Sequence, residues 1–264
     1  DSKPATMELL VDGLTFALKG DQEGAKLAVN LSAPKLTVQK DIVTGKQADI
    51  SFSQEKGNDK INAHLALADV KGSPQAVQSS GVKGDLSATQ GARHIESKFS
   101  SPFTGNIEKL IFDLPKLAGN LSITDPALPK GAMQGAFNLN LHSDFKQEKI
   151  NTDLAIDVDD LHVKGNVGIA SFSNPAYQFN LDLNKLDADK YITQSDKPEN
   201  KKSGDTPIDL SALKQLSAQG SLHIGDLKVA NIKTNDVDLK LNANQGVAEL
   251  APFSANLYQG KMNG

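Results

Sequence analysis

The residues of this chain whose types could support acid, base or metal chemistry are five histidines, at positions 64, 94, 142, 162 and 223, and one acidic run, Asp157-Val158-Asp159-Asp160. No two histidines stand at the spacing that would place both imidazoles on one metal ion. His162 lies between Leu161 and Val163, and His223 between Leu222 and Ile224. A polar residue between apolar ones in period-2 sequence belongs on the wet face of a strand. That assignment is preferred to a metal site, which would need distant residues to converge. The acidic run lacks the central Gly and closing Glu of an EF-hand loop. A polysaccharide hydrolase would need two carboxylates about 5–9.5 Å apart in an aromatic-lined cleft. Asp159 and Asp160 would supply the acids, but ten Phe, three Tyr and no Trp make a poor cleft. No phosphate loop, nucleophile elbow or dinucleotide fingerprint occurs. The chain is expected not to be an enzyme and to need no cofactor and no metal.

Composition narrows the class further. A net charge of -4 with a pI near 5.7 and singly scattered Lys and Arg leaves no basic stripe for phosphates, so nucleic acid is not an expected partner. There is no Cys, hence no disulfide framework or thiolate metal site, which suits the periplasm without requiring it. Hydrophobic residues make up 38% of 264, a share that suits sheets with one wet face. No run reaches the roughly 18 consecutive apolar residues of a spanning helix. The chain begins at Asp1 and stops at Gly264 inside an alternating pattern, so it is expected to be a piece of a longer protein, soluble as it stands, and these residues leave an upstream signal or anchor open.

The elements that must position any site are strands. Phe137, Leu139 and Leu141 alternate with Asn138, Asn140 and His142; Leu154, Ile156 and Val158 alternate with polar or small residues; Phe179, Leu181 and Leu183 sit between Asn180, Asp182 and Asn184; and Val237, Leu239 and Leu241 follow the same rule. Similar runs are placed near 7–18, 25–38, 48–53, 61–68, 81–88, 93–99 and 107–112, separated by turn residues such as Gly57-Asn58 and Asp125-Pro126. Five stretches share an apolar-x-Gly-x-apolar pattern centred on Gly84, Gly119, Gly135, Gly165 and Gly220, each Gly predicted to mark a bulge, a bend or a thin spot on the apolar face. Their uneven spacing argues against a fixed-period solenoid. The tract Thr193 to Pro207 is polar enough to read as a linker or mobile loop. Short helices are expected over Asp187 to Ile192 and from Asp209 through Leu216, the second stopped by Gly220.

The predicted fold class is therefore mainly β, a long curved antiparallel sheet forming a groove or curled sheet with one or two short helices. The predicted organisation is a curved β region over 1–192, the linker at 193–207, and a short helix with continuing strands over 208–264, truncated at its end.

Three stretches resemble the carboxy-terminal region of AsmA family proteins. They are Phe112-Asp-Leu-Pro-Lys-Leu-Ala-Gly-Asn-Leu-Ser-Ile-Thr-Asp-Pro-Ala-Leu-Pro129; Phe179-Asn-Leu-Asp-Leu-Asn-Lys-Leu-Asp-Ala-Asp-Lys-Tyr191, similar to the family's Asp-x-Asp-x-Tyr ending; and the segment from Pro207-Ile-Asp-Leu to Leu257-Tyr-Gln-Gly260. Together they cover roughly residues 110 to 264, and each alone is built of common strand and turn residues. The first hundred residues match only in style. The resemblance implies a protein on the periplasmic face of the bacterial inner membrane, anchored by a helix outside this segment. It further implies a role in outer-membrane homeostasis and an apolar β-groove that carries lipid.

On that footing the expected lipid-binding face comprises Phe137, Leu139, Leu141, Leu154, Ile156, Leu161, Val163, Phe179, Leu181, Leu183, Leu222, Ile224, Leu239 and Leu241. Its expected partner is phospholipid or another envelope lipid. The same apolar stripe is also what the core of a closed β-sandwich would show. The competing function is a structural or assembly factor for outer-membrane proteins that works through sheet edges and carries no lipid.

Overall fold

Two-residue turns join many of the neighbouring strands and fold much of the chain into a meander. At one of these, Lys56 pairs with Asp59 across Gly57 and Asn58, Gly57 taking the positive φ (61°) that a tight hairpin needs. The structure, a computed structural model, describes residues 8–22, 24–128, 130–172, 174–190, 217–244, 247–257 and 260–264. The strands are β1 (Glu8–Gln22), β2 (Ala25–Gln39), β3 (Ile42–Lys56), β4 (Asp59–Ser73), β5 (Ala76–Gln90), β6 (Arg93–Asn106), β7 (Ile111–Thr124), β8 (Ala132–Asp144), β9 (Lys149–Val158), β10 (Leu161–Ala170), β11 (Ala176–Asp187), β12 (Ser217–Val229), β13 (Ile232–Asn244), β14 (Val247–Leu257) and β15 (Gly260–Asn263). All belong to one sheet whose order follows the chain from β1 to β15. The protein is mainly β, built on a long sheet, as its alternation predicts.

The chain divides into two compact units, Asp1–Asp125 with Gln134–Lys146, and Pro126–Met133 with Gln147–Gly264. In the first, β1 to β7 pair antiparallel in succession. β8 lies along β7, where Phe145 N donates to Leu110 O and Ser143 Oγ to Phe112 O. A row of irregularities crosses these strands at one level. Residues 80 and 81 of β5 oppose residue 102 alone on β6, and four residues of β7 (114–117) oppose three of β6 (101–103). Asp69 on β4 and Lys116 on β7 hold positive φ, 49° and 59°. An extra residue shifts the phase of alternation by one, so the inner-face positions move from Val82, Gly84 and Leu86 to Val77 and Ser79 on β5, and from Leu117, Gly119 and Leu121 to Phe112 and Leu114 on β7. Bulging strips carbonyls of their ladder partners, and two buried serines take them up. Ser79 Oγ lies 2.5 Å from Ala68 O and 3.1 Å from Gly81 O, and Ser101 Oγ lies 2.7 Å from both Pro102 O and Pro115 O.

The second unit departs from a pure meander. β11 and β12 run parallel, with Phe179 opposite Gly220, Leu181 opposite Leu222 and Leu183 opposite Ile224. The antiparallel expectation is corrected here, because residues 188–216 separate the two strands, enough chain for the crossover that a parallel pair requires. Of the expected helix over Asp187 to Ile192, the described part is a single 3-10 turn, Ala188–Lys190. The helix expected from Asp209 to Leu216 and the linker at 193–207 lie outside the described residues. Gly220 is not a helix stop: it sits inside β12.

Candidate functional site

The apolar face is assembled row by row across neighbouring strands. In the second unit one row runs Leu154, Gly165, Leu181, Leu222, Leu239 and Phe253, and the next runs Ile156, Val163, Leu183, Ile224 and Val237. Residues directly opposite on paired strands share a face and pack side by side. These two rows hold eight of the eleven expected residues of this unit; Phe179 and Leu241 flank Gly220 in the row beside them, and Leu161 stands at the start of β10. Leu183 (9% exposed) and Ile224 (3%) are buried, joined by Val237 and Ala255, and Leu161, Val163, Leu181, Leu222 and Leu239 pack against them half-buried. Phe137, Leu139 and Leu141 share one face of β8 in the first unit, and all three are half-buried.

Expectation from sequence named no residue before Phe137, yet the first unit carries rows of the same kind. Phe16, Leu31, Ile50, Leu65, Gly84, Phe99 and Gly119 are successive partners across β1 to β7, and Leu18, Val29, Phe52, Ala63, Leu86, Ser97 and Leu121 form the row beside them. Their signal is the same alternation that marks the strands. At the β1 end the face lies open, with Leu14 42% exposed and Phe16 and Leu18 each 57% exposed.

The glycines of the repeated pattern have a definite task on this face. A methyl group at Gly84 would run into the Phe99 ring and the Leu65 side chain, and one at Gly119 would stand 2.6 Å from Phe137 Cζ. At Gly220 it would stand 2.6 Å from the Phe179 ring. Each of these glycines seats a phenylalanine of the adjoining strand, so the ring lies across the row instead of projecting from it. Gly165 differs: its φ of 144° is open to glycine alone, and the Asn180 carbonyl closes over it.

The opposite face is polar, and each histidine on it meets a carboxylate. His64 reaches Asp49 (3.3 Å) and Asp85 (3.4 Å), His94 reaches Glu96 (3.1 Å), His142 reaches Asp113 (2.6 Å), His162 reaches Asp157 (2.5 Å) and His223 reaches Asp238 (2.8 Å). The Asp238 carboxylate bonded to its ring raises His223 above the ordinary histidine value, and Asp182 and Asp236 push the same way. Among the described residues, no group of three or more His, Asp or Glu is placed to hold a metal ion. In the acidic run, Asp157 bonds His162, Asp160 pairs with Lys185 at 3.1 Å, and Val158 is buried.

At the end of the second unit's rows a cleft of about 460 Å³ opens between Leu161, Leu186 and Leu227 on its apolar side and Asp187, Lys228 and Lys233 on its polar side. Lys228 bridges Asp187 (3.4 Å) and Asp189 (3.2 Å). Asp189 accepts the backbone N–H groups of Asn231 (3.0 Å) and Ala230 (2.6 Å), and the Asn231 bond foremost holds its carboxyl below the ordinary aspartate value. The network ties the β12–β13 turn to the end of β11. Among the described residues no helix is long and apolar enough to cross a membrane. Comparison with protein-family models, with curated proteins and with solved structures finds no match to this chain.

Proposed function

We propose that the chain is a lipid-binding and lipid-transfer module of AsmA type, working at the periplasmic face of the bacterial inner membrane in support of the outer membrane, and that it holds acyl chains on the apolar face of its sheet. The observation that carries the reading is the run of cross-strand apolar rows in each unit, in which twelve of the fourteen expected residues are half-buried and only Leu183 and Ile224 are buried. Half-covered aliphatic rows gain from apolar cover at about 25 cal/mol per Å². Seating Phe99, Phe137 and Phe179 over glycines levels the surface against which a methylene chain would lie. Such a mechanism is sliding along rows, with no bond made or broken and no cofactor.

The test is native mass spectrometry of protein purified gently from a bacterial periplasm, followed by extraction and identification of bound lipid. Reproducible phospholipid stoichiometry, lost in the Leu181→Asp and Leu139→Asp variants, is the expected result. Lipid-free protein, or lipid retained by both variants, sinks it. The alternative is an assembly factor for outer-membrane proteins that carries no lipid; among the described residues no strand pairs with the outer edge of β1. Protein crosslinks along sheet edges with no lipid crosslinks on the apolar face would select that alternative.

A further inference from the structure

Turn tips are where a β chain normally places Gly, Asn, Asp and other polar residues. At one end of the first unit that rule holds: Gly57-Asn58 and Gly91-Ala92 join β3 to β4 and β5 to β6 without a large apolar side chain. At the other end it is broken. Ile42, just after the β2–β3 turn, is 46% exposed; Ile107 and Leu110, in the β6–β7 turn, are 51% and 40% exposed; and Phe145, just past β8, is 47% exposed. Leu110 also holds a φ of 57°, which glycine or asparagine would adopt with less strain. A leucine kept at such a position and left exposed serves neither the backbone nor the core.

The tips are fixed against one another. Ile107 N donates to Pro74 O at 2.8 Å, joining the β6–β7 turn to the β4–β5 turn, and Phe145 N donates to Leu110 O at 3.0 Å. Lys109 N donates to Asn106 Oδ1 at 2.8 Å and Lys146 Nζ to Glu108 O at 2.5 Å, while Gln75 Nε2 donates to the Glu108 carboxylate. The rings of Phe103, Phe112 and Phe145 follow one another at 6.0 and 5.9 Å, so the apolar face runs on into the tips. A lysine accompanies each apolar turn: Lys40 shortly before Ile42, Lys109 beside Leu110 and Lys146 beside Phe145.

Chemistry and size together select the partner. We propose that this end of the first unit docks on a phospholipid surface, with Ile42, Ile107, Leu110 and Phe145 entering the acyl layer and Lys40, Lys109 and Lys146 standing at the phosphates. Four partly exposed side chains offer on the order of 400 Å² of apolar area, enough for a functional patch but about half of the roughly 800 Å² per partner of a stable protein interface. Protein interface cores are also depleted in lysine, whereas apolar tips flanked by lysines that reach up to the head groups suit a bilayer boundary. Against the three lysines stand the exposed acids Asp41 and Glu108, which leaves a small positive excess for anionic head groups. The docking draws on turn residues and is separate from whether the apolar face carries lipid.

The test uses the whole chain with vesicles of phosphatidylethanolamine and phosphatidylglycerol. The protein is expected to float with the vesicles, and Ile107→Ser combined with Leu110→Ser to weaken that binding about tenfold or more without changing the circular dichroism spectrum. The chain has no cysteine, so one environment-sensitive fluorophore can be placed on Ile107→Cys or, at the opposite end, on Asn58→Cys. Emission from position 107 is expected to shift to the blue on adding vesicles and to be quenched by brominated acyl chains, and emission from position 58 to stay unchanged. This arm stands even if the double variant disturbs folding. Leu181→Asp is expected to float as the wild type does, so loss of carried lipid and loss of docking read out separately. A chain that does not float, flotation kept by the double variant or lost in Leu181→Asp, equal shifts at positions 107 and 58, or shielding of the position-107 probe by self-association in place of vesicles would each overturn the docking.

Discussion

The two units are written in the same alternating pattern, yet they bury different things. In the first, the buried apolar residues are Ala25, Ala33, Val82 and Leu117, and the larger side chains of its rows, Leu31, Ile50, Leu65 and Phe99, are half-buried. In the second, Leu183, Ile224, Val237 and Ala255 form a buried cluster with Val237 and Ala255 at 1% exposure. Period-2 patterning decides which side of a strand is apolar; it leaves open how completely that side is covered. Stability drawn from burial should therefore concentrate around Ile224, and the first unit should draw proportionally more on its backbone ladder.

Equal truncations in the two units test that difference most sharply. Ile224→Ala is expected to cost about 2–5 kcal/mol, the range for emptying a buried aliphatic site. Leu31→Ala, at a half-buried row position, should cost roughly half of that or less. Urea unfolding followed by amide hydrogen exchange resolves which strands lose protection. Equal costs at the two sites would mean that the first unit's rows are covered as completely as the cluster.

A device common to both units gives the next largest effect. At Gly84 the atoms in the way of a methyl group are side chains, the Phe99 ring and Leu65 Cδ2. At Gly220 the Phe179 carbonyl stands in the way as well as its ring. Gly84→Ala and Gly220→Ala are each expected to cost about 1–3 kcal/mol by overpacking. Phe99→Leu should recover part of the loss at Gly84, whereas Phe179→Leu should recover little at Gly220, because backbone cannot give way as a ring can. Double-mutant cycles measure both couplings, and equal recovery at the two glycines would contradict the seating geometry.

The same particulars show what the sequence could disclose. All fourteen expected face residues lie on strands, and the shared face of those within each strand follows from alternation alone, as do the wet positions of His162 and His223. Strand lengths did not follow. The expected strand at 48–53 runs from Ile42 to Lys56, and that at 93–99 from Arg93 to Asn106. On β3 the alternation breaks, since Val43 and Gly45 are out of step with Ala48, Ile50 and Phe52, although the ladder to β4 keeps one register from end to end. The apolar pattern starts a strand at Ile107, but residues 107–110 form a turn, with Lys109 N bonded to Asn106 Oδ1 at 2.8 Å, and β7 begins at Ile111. The parallel step from β11 to β12 was equally hidden, since alternation encodes faces and carries no direction. Burial at Leu183 and Ile224 but not at Leu181 and Leu222 depends on neighbours brought close by pairing, which no local pattern records.

The polar faces differ more quietly, and His223 provides the finest comparison. Its ring bonds Asp238 at 2.8 Å, with Asp182 directly opposite on β11 and Asp236 nearby, and these acids, Asp238 foremost, raise its pKa above the unfolded value of 6.5. A base whose folded pKa is raised gains proton affinity on folding. Its contribution is therefore fully present below the unfolded value and is lost as pH rises through the folded one. His223→Gln should thus lower stability at pH values below 6.5 and become nearly neutral in alkaline solution, the difference staying under about 1 kcal/mol because the pair is partly solvated. Thermal melts of both proteins across that pH range measure it. A loss that is independent of pH would assign His223 to packing, and a loss that grows with rising pH would reverse the sign of its coupling to Asp238.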